Sequence, residues 1–460
     1  MVEHPRGLRS LAADSIVYGA SIAALPAALI LSTPIVARML GTDGYGALDV
    51  LSGLVALASI GAMLGMDAAV ARSWFETSDE RRRSDVVRTA VTTVTVASAV
   101  IAVPAFALFA LAAGHVAAAA LAFGAMPIIN AQAIVRTRFL LARRRPLYLA
   151  AALLQALVGV GGAVVLVALG AGSTGYFLGL AVGAASALVF TMAAAGLTRR
   201  RGSWLDRREL PRLLAFGLPL VPAAAAVWAV FAVDRTLVAA LRSFHEAGLY
   251  GVGAKVTAPM MLLASAFSIA WGPFILGQPD ERRAELRGRA LTAVVAGAAA
   301  FLVVLVLFAP QLVRVFGGPK FEGAERAVPG VAFGWLAWAA AAVLATEFSV
   351  RRRTWPIAVA TGAAALANVV LNLILIPPFG YVAAAWVTAA SFTLLVAVYI
   401  VWERRFEQTP YRFGRLVLVG LLIAGAMLAL LTPSLLVRIP VALVAAAALA
   451  AVAVSDAERP

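Results

Sequence analysis

An acidic and a basic residue, Asp234 and Arg235, stand side by side within a long apolar run, and Lys255 lies a little inside the next one. Ionisable groups are costly in hydrocarbon, so they usually face a bundle interior or a wet cavity. A guanidinium or ammonium in such a place offers charge-assisted hydrogen bonds to a phosphate-type anion. The stretch that carries them, 213–276, reads as two apolar spans joined by a short polar turn. The rest of the chain reads as a way of surrounding that cavity.

Other polar residues within or bordering apolar runs complete the candidate set: Arg38, Asp49, Asp67, Arg72, Asn130, Gln132, Glu347, Asn368 and Asn372. For each, the plainer role is snorkelling to an interface or hydrogen bonding between helices. Arg38 closes the first span, where both roles stay open. Asp67 and Arg72 sit near the end of the second span, five residues apart. Neighbours on a helix point about 100° apart, so Asp234 and Arg235 cannot serve one partner; one arrangement turns Arg235 to the cavity and Asp234 to a neighbouring helix. Asn368 and Asn372 are one turn apart and share a face, as substrate contacts or as interhelical glue. Glu347 stands beside Arg351, Arg352 and Arg353, so an interfacial salt bridge is its default.

No metal centre is expected. There is no cysteine, and His4, His115 and His245 include no pair at helical spacing. No phosphate-binding loop, no His-Glu-x-x-His and no nucleophile elbow is present. The sequence therefore points to neither an enzyme nor a cofactor.

The elements that position these residues are legible from composition. Of 460 residues, 62% are hydrophobic and 13% charged, against about half and about a quarter in soluble domains. An all-α polytopic membrane protein follows. The net charge of +15 falls in bursts of arginine between apolar runs, which reads as membrane orientation rather than nucleic-acid binding. Apolar segments occupy approximately 11–37, 47–71, 86–113, 116–140, 147–170, 175–198, 213–239, 249–276, 290–310, 329–349, 354–376, 380–402, 414–432 and 439–455. That gives about fourteen transmembrane helices, each needing about 20 residues to cross about 30 Å. The first apolar run is longer than a secretory signal core and reads as an uncleaved span.

Basic residues follow every second span: Arg81, Arg82, Arg83 and Arg88; Arg143, Arg144 and Arg145; Arg199, Arg200, Arg201, Arg207, Arg208 and Arg212; Arg282, Arg283, Arg287 and Arg289; Arg351, Arg352 and Arg353; Arg404, Arg405, Arg412 and Arg415. These clusters are read as topology, with a secondary attraction to anionic membrane lipids. The positive-inside rule then places even connections and both termini in the cytoplasm. The largest outward connection, Gln311 to Val328, is too short for a folded domain.

The stretch Pro34–Ser59 parallels Arg235–Ser265, with Tyr45–Gly46 matching Tyr250–Gly251. This is a parallel repeat about an axis along the membrane normal. It predicts two pseudo-symmetric six-helix lobes, 1–198 and 199–405, with two additional C-terminal helices in 406–460.

Four segments carry a family resemblance: VARMLGTDGYGAL (Val36–Leu48), LLAFGLPLVPAAAAVWAVFAVDRTLVAAL (Leu213–Leu241), AGLYGVGAKV (Ala247–Val256) and NVVLNLILIPPFGYVAAAWVTAASF (Asn368–Phe392). Together they resemble the bacterial oligosaccharide (polysaccharide biosynthesis) flippases, in the superfamily shared with multidrug and toxin extrusion transporters and lipid II flippases. The resemblance implies a V-shaped pair of lobes around a central cavity. It implies movement of an undecaprenyl-diphosphate-linked oligosaccharide across the bacterial cytoplasmic membrane by alternating access. Glycosyltransferases and a polysaccharide polymerase are the implied partners. Basic cavity residues of that family match Arg38, Arg235 and Lys255 here; Arg72, Asn368 and Asn372 join them as substrate-binding candidates. Asp67 and Asp234 are the coupling-ion candidates. The first span lacks the fuller arginine set and acidic partner of the lipid II flippases, which makes lipid II the lesser cargo. A drug or metabolite antiporter of the same fold is the alternative, although Arg235 and Lys255 oppose the carboxylate-dominated cavity that a cation exporter wants.

Overall fold

The computed structural model describes residues 8–113, 115–197, 203–351, 353, 355–405, 409–430 and 435–457, and every regular element among them is helical. His4, Arg199, Arg200, Arg201 and Arg352 lie outside the described residues, as do both residues at the expected lobe boundary, 198 and 199.

In order, the helices are α1 (Leu8–Met63), α2 (Met66–Phe75), α3 (Glu80–Ala113), α4 (Val116–Gly124), α5 (Met126–Leu141), α6 (Arg145–Leu154), α7 (Gly161–Leu166), α8 (Gly172–Ala195), α9 (Glu209–Gly217) and α10 (Val221–Leu241). They continue as α11 (Phe244–Val256), α12 (Ala258–Leu276), α13 (Asp280–Leu307), α14 (Ala309–Phe316), α15 (Val328–Val350), α16 (Trp355–Phe379), α17 (Tyr381–Glu403), α18 (Phe413–Leu430) and α19 (Leu435–Ala457).

Eleven stretches among the described residues are long and apolar enough to cross a membrane. Two of them are too long to cross once. Ala24–Met63 has 40 residues, or about 60 Å at 1.5 Å per residue, twice the hydrocarbon core. It turns at Gly41, whose φ of 71° lies in the left-handed region that glycine enters without a Cβ clash. Arg145–Ala195, of 51 residues, turns at Gly170 and Gly172, with φ of 87° and 57°. Each holds two of the expected spans. The shorter apolar helix Phe413–Leu428 coincides with the thirteenth, so the structure is compatible with fourteen crossings. The expected eighth span is divided at Thr257 into α11 and α12, where Pro259, at the second position of α12, has no N–H to continue the ladder.

The chain forms two compact units, Met1–Leu40 with Ala47–Ala225, and Gly41–Gly46 with Ala226–Pro460. In the first, α3 packs on α4 and α5, and α5 packs on α8. Val87, Ala90 and Val94 of α3 meet Ile134, Val135 and Phe139 of α5, with Val70 and Trp74 of α2. In the second, α15 packs against α12, α13 and α17, while α16 lies on α17 and α18–α19 on α13. Large apolar side chains also face outward, Leu111, Leu169 and Leu436 among them, as expected where lipid is the solvent.

Two arginines read as topological are instead built into these units. Arg287 of α13 is 1% exposed and bonds Glu347 of α15 and, at 3.0 Å, Glu403 of α17. Arg351 also pairs with Glu347, the salt bridge expected from sequence. Glu403 further accepts from Thr409 and Tyr411, in the segment entering α18. Burial, and then the bond to Glu403, raises the Tyr411 phenol above its ordinary value, so it stays a neutral donor. Two carboxylates and two guanidiniums thus neutralise one another where single buried charges would be prohibitive. In the first unit, Arg88, also 1% exposed, donates to the Leu197 carbonyl at 2.6 Å and approaches Asp85 and the Trp204 ring. Sequence hides such roles because an arginine near a span end satisfies the topology rule whether it is solvated or buried.

Candidate functional site

A second buried polar group among the apolar helices centres on Asp234, 1% exposed on α10. Its carboxylate accepts from the Tyr250 hydroxyl of α11 at 2.7 Å, from Asn372 Nδ2 of α16 at 2.7 Å, and from the Thr388 hydroxyl of α17. Asn372 Nδ2 also donates to Asn368 Oδ1 at 3.1 Å, and Thr388 donates to the Ala384 carbonyl at 3.2 Å. Four helices are tied together by one side chain.

Local sequence explains how α11 is aimed at this point. Ser243 is extended and caps the helix, accepting from Glu246 N–H at 3.1 Å, one of the donors a helix start leaves over. The Glu246 carboxylate in turn accepts from Arg242 at 2.9 Å and from Tyr381 N–H at 3.0 Å. It thereby fixes the starts of α11 and α17 to each other. The corner residues 41–46 also pack on α11. A Cβ on Gly46 would lie 1.9 Å from the Phe244 carbonyl oxygen, and one on Gly248 would lie 2.1 Å from that of Thr42. The Thr42 hydroxyl and His245 Nδ1 are 2.9 Å apart. The corner 41–46 and the start of α11 therefore meet backbone to backbone.

Asn372 Oδ1 and Asn368 Nδ2 are buried without a hydrogen-bond partner. An orphaned oxygen beside a carboxylate and a hydroxyl is a set of hard oxygen donors, the kind that suits a proton or a small hard cation. Among the described residues no group of three or more His, Cys, Asp or Glu stands ready for a metal ion, so one carboxylate with neutral oxygens is the available chemistry.

The remaining candidates are placed as follows. Arg235 and Lys255 are half-buried on α10 and α11, in the same compact unit as Asp234, while Arg38 is exposed on α1. Asp67 is exposed in the first turn of α2. Arg72 stands in the first unit, bonded to Glu76 at 3.1 Å and lying over the Phe216 ring. Asn368 and Asn372 are 0% exposed, turned to each other and to Asp234. Asp234, Asn368 and Asn372 are thus brought together. Thr388 and the Tyr250 hydroxyl were not foreseen as their partners. The available signal was a hydroxyl residue inside the twelfth apolar span, which marks helix–helix bonding without saying to whom.

Comparison with known families adds what geometry alone does not. Residues 12–276 match the model of the family described as polysaccharide biosynthesis protein. The chain belongs to the polysaccharide biosynthesis protein family. The matched region includes Arg38, Asp67, Arg72, Asp234, Arg235 and Lys255, whereas Asn368 and Asn372 lie beyond it. No curated protein sequence matches this family member.

Among solved structures, "Lipid II flippase MurJ, inward closed conformation" is similar with a TM-score of 0.73 at 13% identity, over 97% of this chain and 99% of that one. An inward-facing multidrug resistance MATE family transporter of the MOP superfamily has a TM-score of 0.58 at 16% identity, over 82% and 93%. A MOP superfamily transporter from Pyrococcus furiosus Vc1 has 0.57 at 16%, over 85% and 94%. At these identities the likeness is one of fold. This member of the polysaccharide biosynthesis family is a multi-pass membrane protein whose fold is like that of the solved MurJ and MATE structures.

Proposed function

We propose that the protein is a flippase that moves an undecaprenyl-diphosphate-linked oligosaccharide across the bacterial cytoplasmic membrane by alternating access, for surface polysaccharide biosynthesis. The family match over 12–276 carries this reading. Arg38, Arg235 and Lys255 are the cations assigned to the diphosphate, with Arg72 as a further basic contact. A diphosphate must lose water on its way through the membrane, and charge-assisted hydrogen bonds replace that hydration. Asp234, with Asn368, Asn372 and Thr388, is assigned to the coupling ion, supported by the orphaned Asn372 oxygen. Asp67 is the second coupling candidate. Both termini are assigned to the cytoplasm from the arginine alternation. Glycosyltransferases and a polymerase would supply and consume the lipid-linked glycan.

The test is a strain lacking the protein, assayed for lipid-diphosphate oligosaccharide in the inner leaflet and complemented with wild type, Lys255→Ala or Arg235→Ala. Accumulation relieved by wild type and not by either variant is the expected result. Unchanged surface glycan without accumulation, together with altered drug susceptibility, would replace this reading with a drug or metabolite antiporter.

A further inference from the structure

Two glycines bring α2 and α9 into backbone contact within the first unit. A Cβ on Gly65 would lie 2.3 Å from the Gly217 carbonyl oxygen, and one on Gly217 would lie 2.3 Å from that of Leu64. Away from this crossing the helices border a half-open cavity of ≈ 360 Å³, lined by Ala69, Arg72, Ser73, Glu76, Arg212 and Phe216 with Ala215, in which the Arg72 and Arg212 side chains stay largely exposed. Arg72 is the residue it shares with the basic contacts assigned to the glycan carrier; Arg38, Arg235, Lys255 and the Asp234 group are not among its lining residues.

The cavity has a charged half and an apolar half. The Arg72 guanidinium lies 4.7 Å from the Phe216 ring centroid and spends its Nε on Glu76. Its plane is therefore held on one face and one edge, with its two terminal nitrogens left as donors. Arg212 is only loosely engaged, 3.6 Å from Glu209, because Arg82 already holds that carboxylate at 2.7 Å. Ser73, next to Arg72 in the chain, lines the same space. Counting Arg72, Arg82 and Arg212 against Glu76 and Glu209 leaves one positive charge. A phosphodiester, with one negative charge, matches it; a diphosphate would exceed it. The other half, Ala69, Ala215 and the Phe216 ring, is apolar, and Phe75 beside Glu76 is 75% exposed. An anion joined to hydrocarbon is what fits both halves.

We propose that this cavity binds the phosphodiester of an anionic phospholipid, bridging α2 and α9. The chain is purified whole in neutral detergent and titrated with short-chain phosphatidylglycerol, phosphatidylcholine or inorganic diphosphate, with bound lipid counted by native mass spectrometry. Phosphatidylglycerol is expected to bind, and the double substitution Arg72→Gln with Arg212→Gln to weaken it by about tenfold or more, the worth of one lost charge-assisted hydrogen bond. A second variant, Arg72→Lys, keeps the charge and the packing but not the planar fork, and is expected to lose several-fold. Arg143→Gln with Arg144→Gln removes the same charge from exposed positions outside the cavity and is expected to change nothing. An equal loss in that control would reduce the effect to net charge and overturn the site. Unaltered binding in both cavity variants, or displacement of the lipid by inorganic diphosphate alone, would overturn it too. Because the readout is binding, its failure leaves the proposed flipping activity standing.

Discussion

Asp234 offers a quantitative test of whether the polar knot of the second unit carries energy. Replacing it with alanine removes the acceptor of three buried donors, but two of them keep another partner: Asn372 retains Asn368 Oδ1 and Thr388 retains the Ala384 carbonyl. Tyr250 alone is orphaned, for a cost of about 1–3 kcal/mol, with about 0.5–1.5 kcal/mol for each weakened donor. Asp234→Ala is therefore expected to destabilise by about 2–6 kcal/mol. The sharper quantity is the coupling between Asp234→Ala and Tyr250→Phe. Interhelical hydrogen bonds in membrane proteins average about 0.6 kcal/mol and reach about 1.7 kcal/mol in such cycles, so a coupling of about 1 kcal/mol is expected for this short, fully buried bond. The cycle is measured by reversible unfolding in mixed detergent micelles, followed by tryptophan fluorescence. Tyr381→Phe serves as the control, since its hydroxyl donates to the Gly323 carbonyl at 2.8 Å and touches none of the knot; it should add with Asp234→Ala to within about 0.5 kcal/mol. Coupling with Tyr250 indistinguishable from that control would refute the reasoning.

Two further outcomes follow from the packing. Gly217→Ala places a methyl 2.3 Å from the Leu64 carbonyl oxygen, so α9 must move off α2, and thermal melting should show a loss of about 1–3 kcal/mol, whereas Gly362→Ala, with nothing within 4 Å, should be neutral or slightly stabilising. Arg287→Met leaves Glu347 and Glu403 buried without their shared cation and should cost about 3–5 kcal/mol, most of which should return when Glu347→Gln and Glu403→Gln are added; a triple variant as unstable as Arg287→Met would show that charge compensation is not what Arg287 supplies.

The separate spans were readable because each is a local property. The segments ending near Leu241 and beginning near Tyr250 needed nothing but their own residues, and the turns at Gly41 and Gly170 fall at the breaks between the expected spans 11–37 and 47–71 and between 147–170 and 175–198. The Glu347–Arg351 pair was readable for the same reason, four residues apart on one helix. Arg287 was not, since a burst of arginines looks the same to the topology rule whether its members are solvated or enclosed. Its partners lie 60 and 116 positions away. Arg72 was placed among the cargo cations from its position at a span end; its seat over Phe216 depends on a crossing of two glycines separated by some 150 residues of chain.

By itself, the sequence determined that this chain lives in a membrane and roughly how often it crosses, and it shows a likeness between the segments that follow its first and seventh spans. Those follow from hydropathy and from like segments recurring, both of which are written along one dimension. Only the tertiary structure decided that Asp234 meets Asn372 and Thr388, 138 and 154 positions away, and that Arg72 lies over the Phe216 ring. The physical reason is the solvent. In water an apolar stripe tells a helix which face to bury, whereas in lipid the buried and exposed faces are equally apolar, so the rotation of each helix is set by close backbone contacts and by a few buried hydrogen bonds.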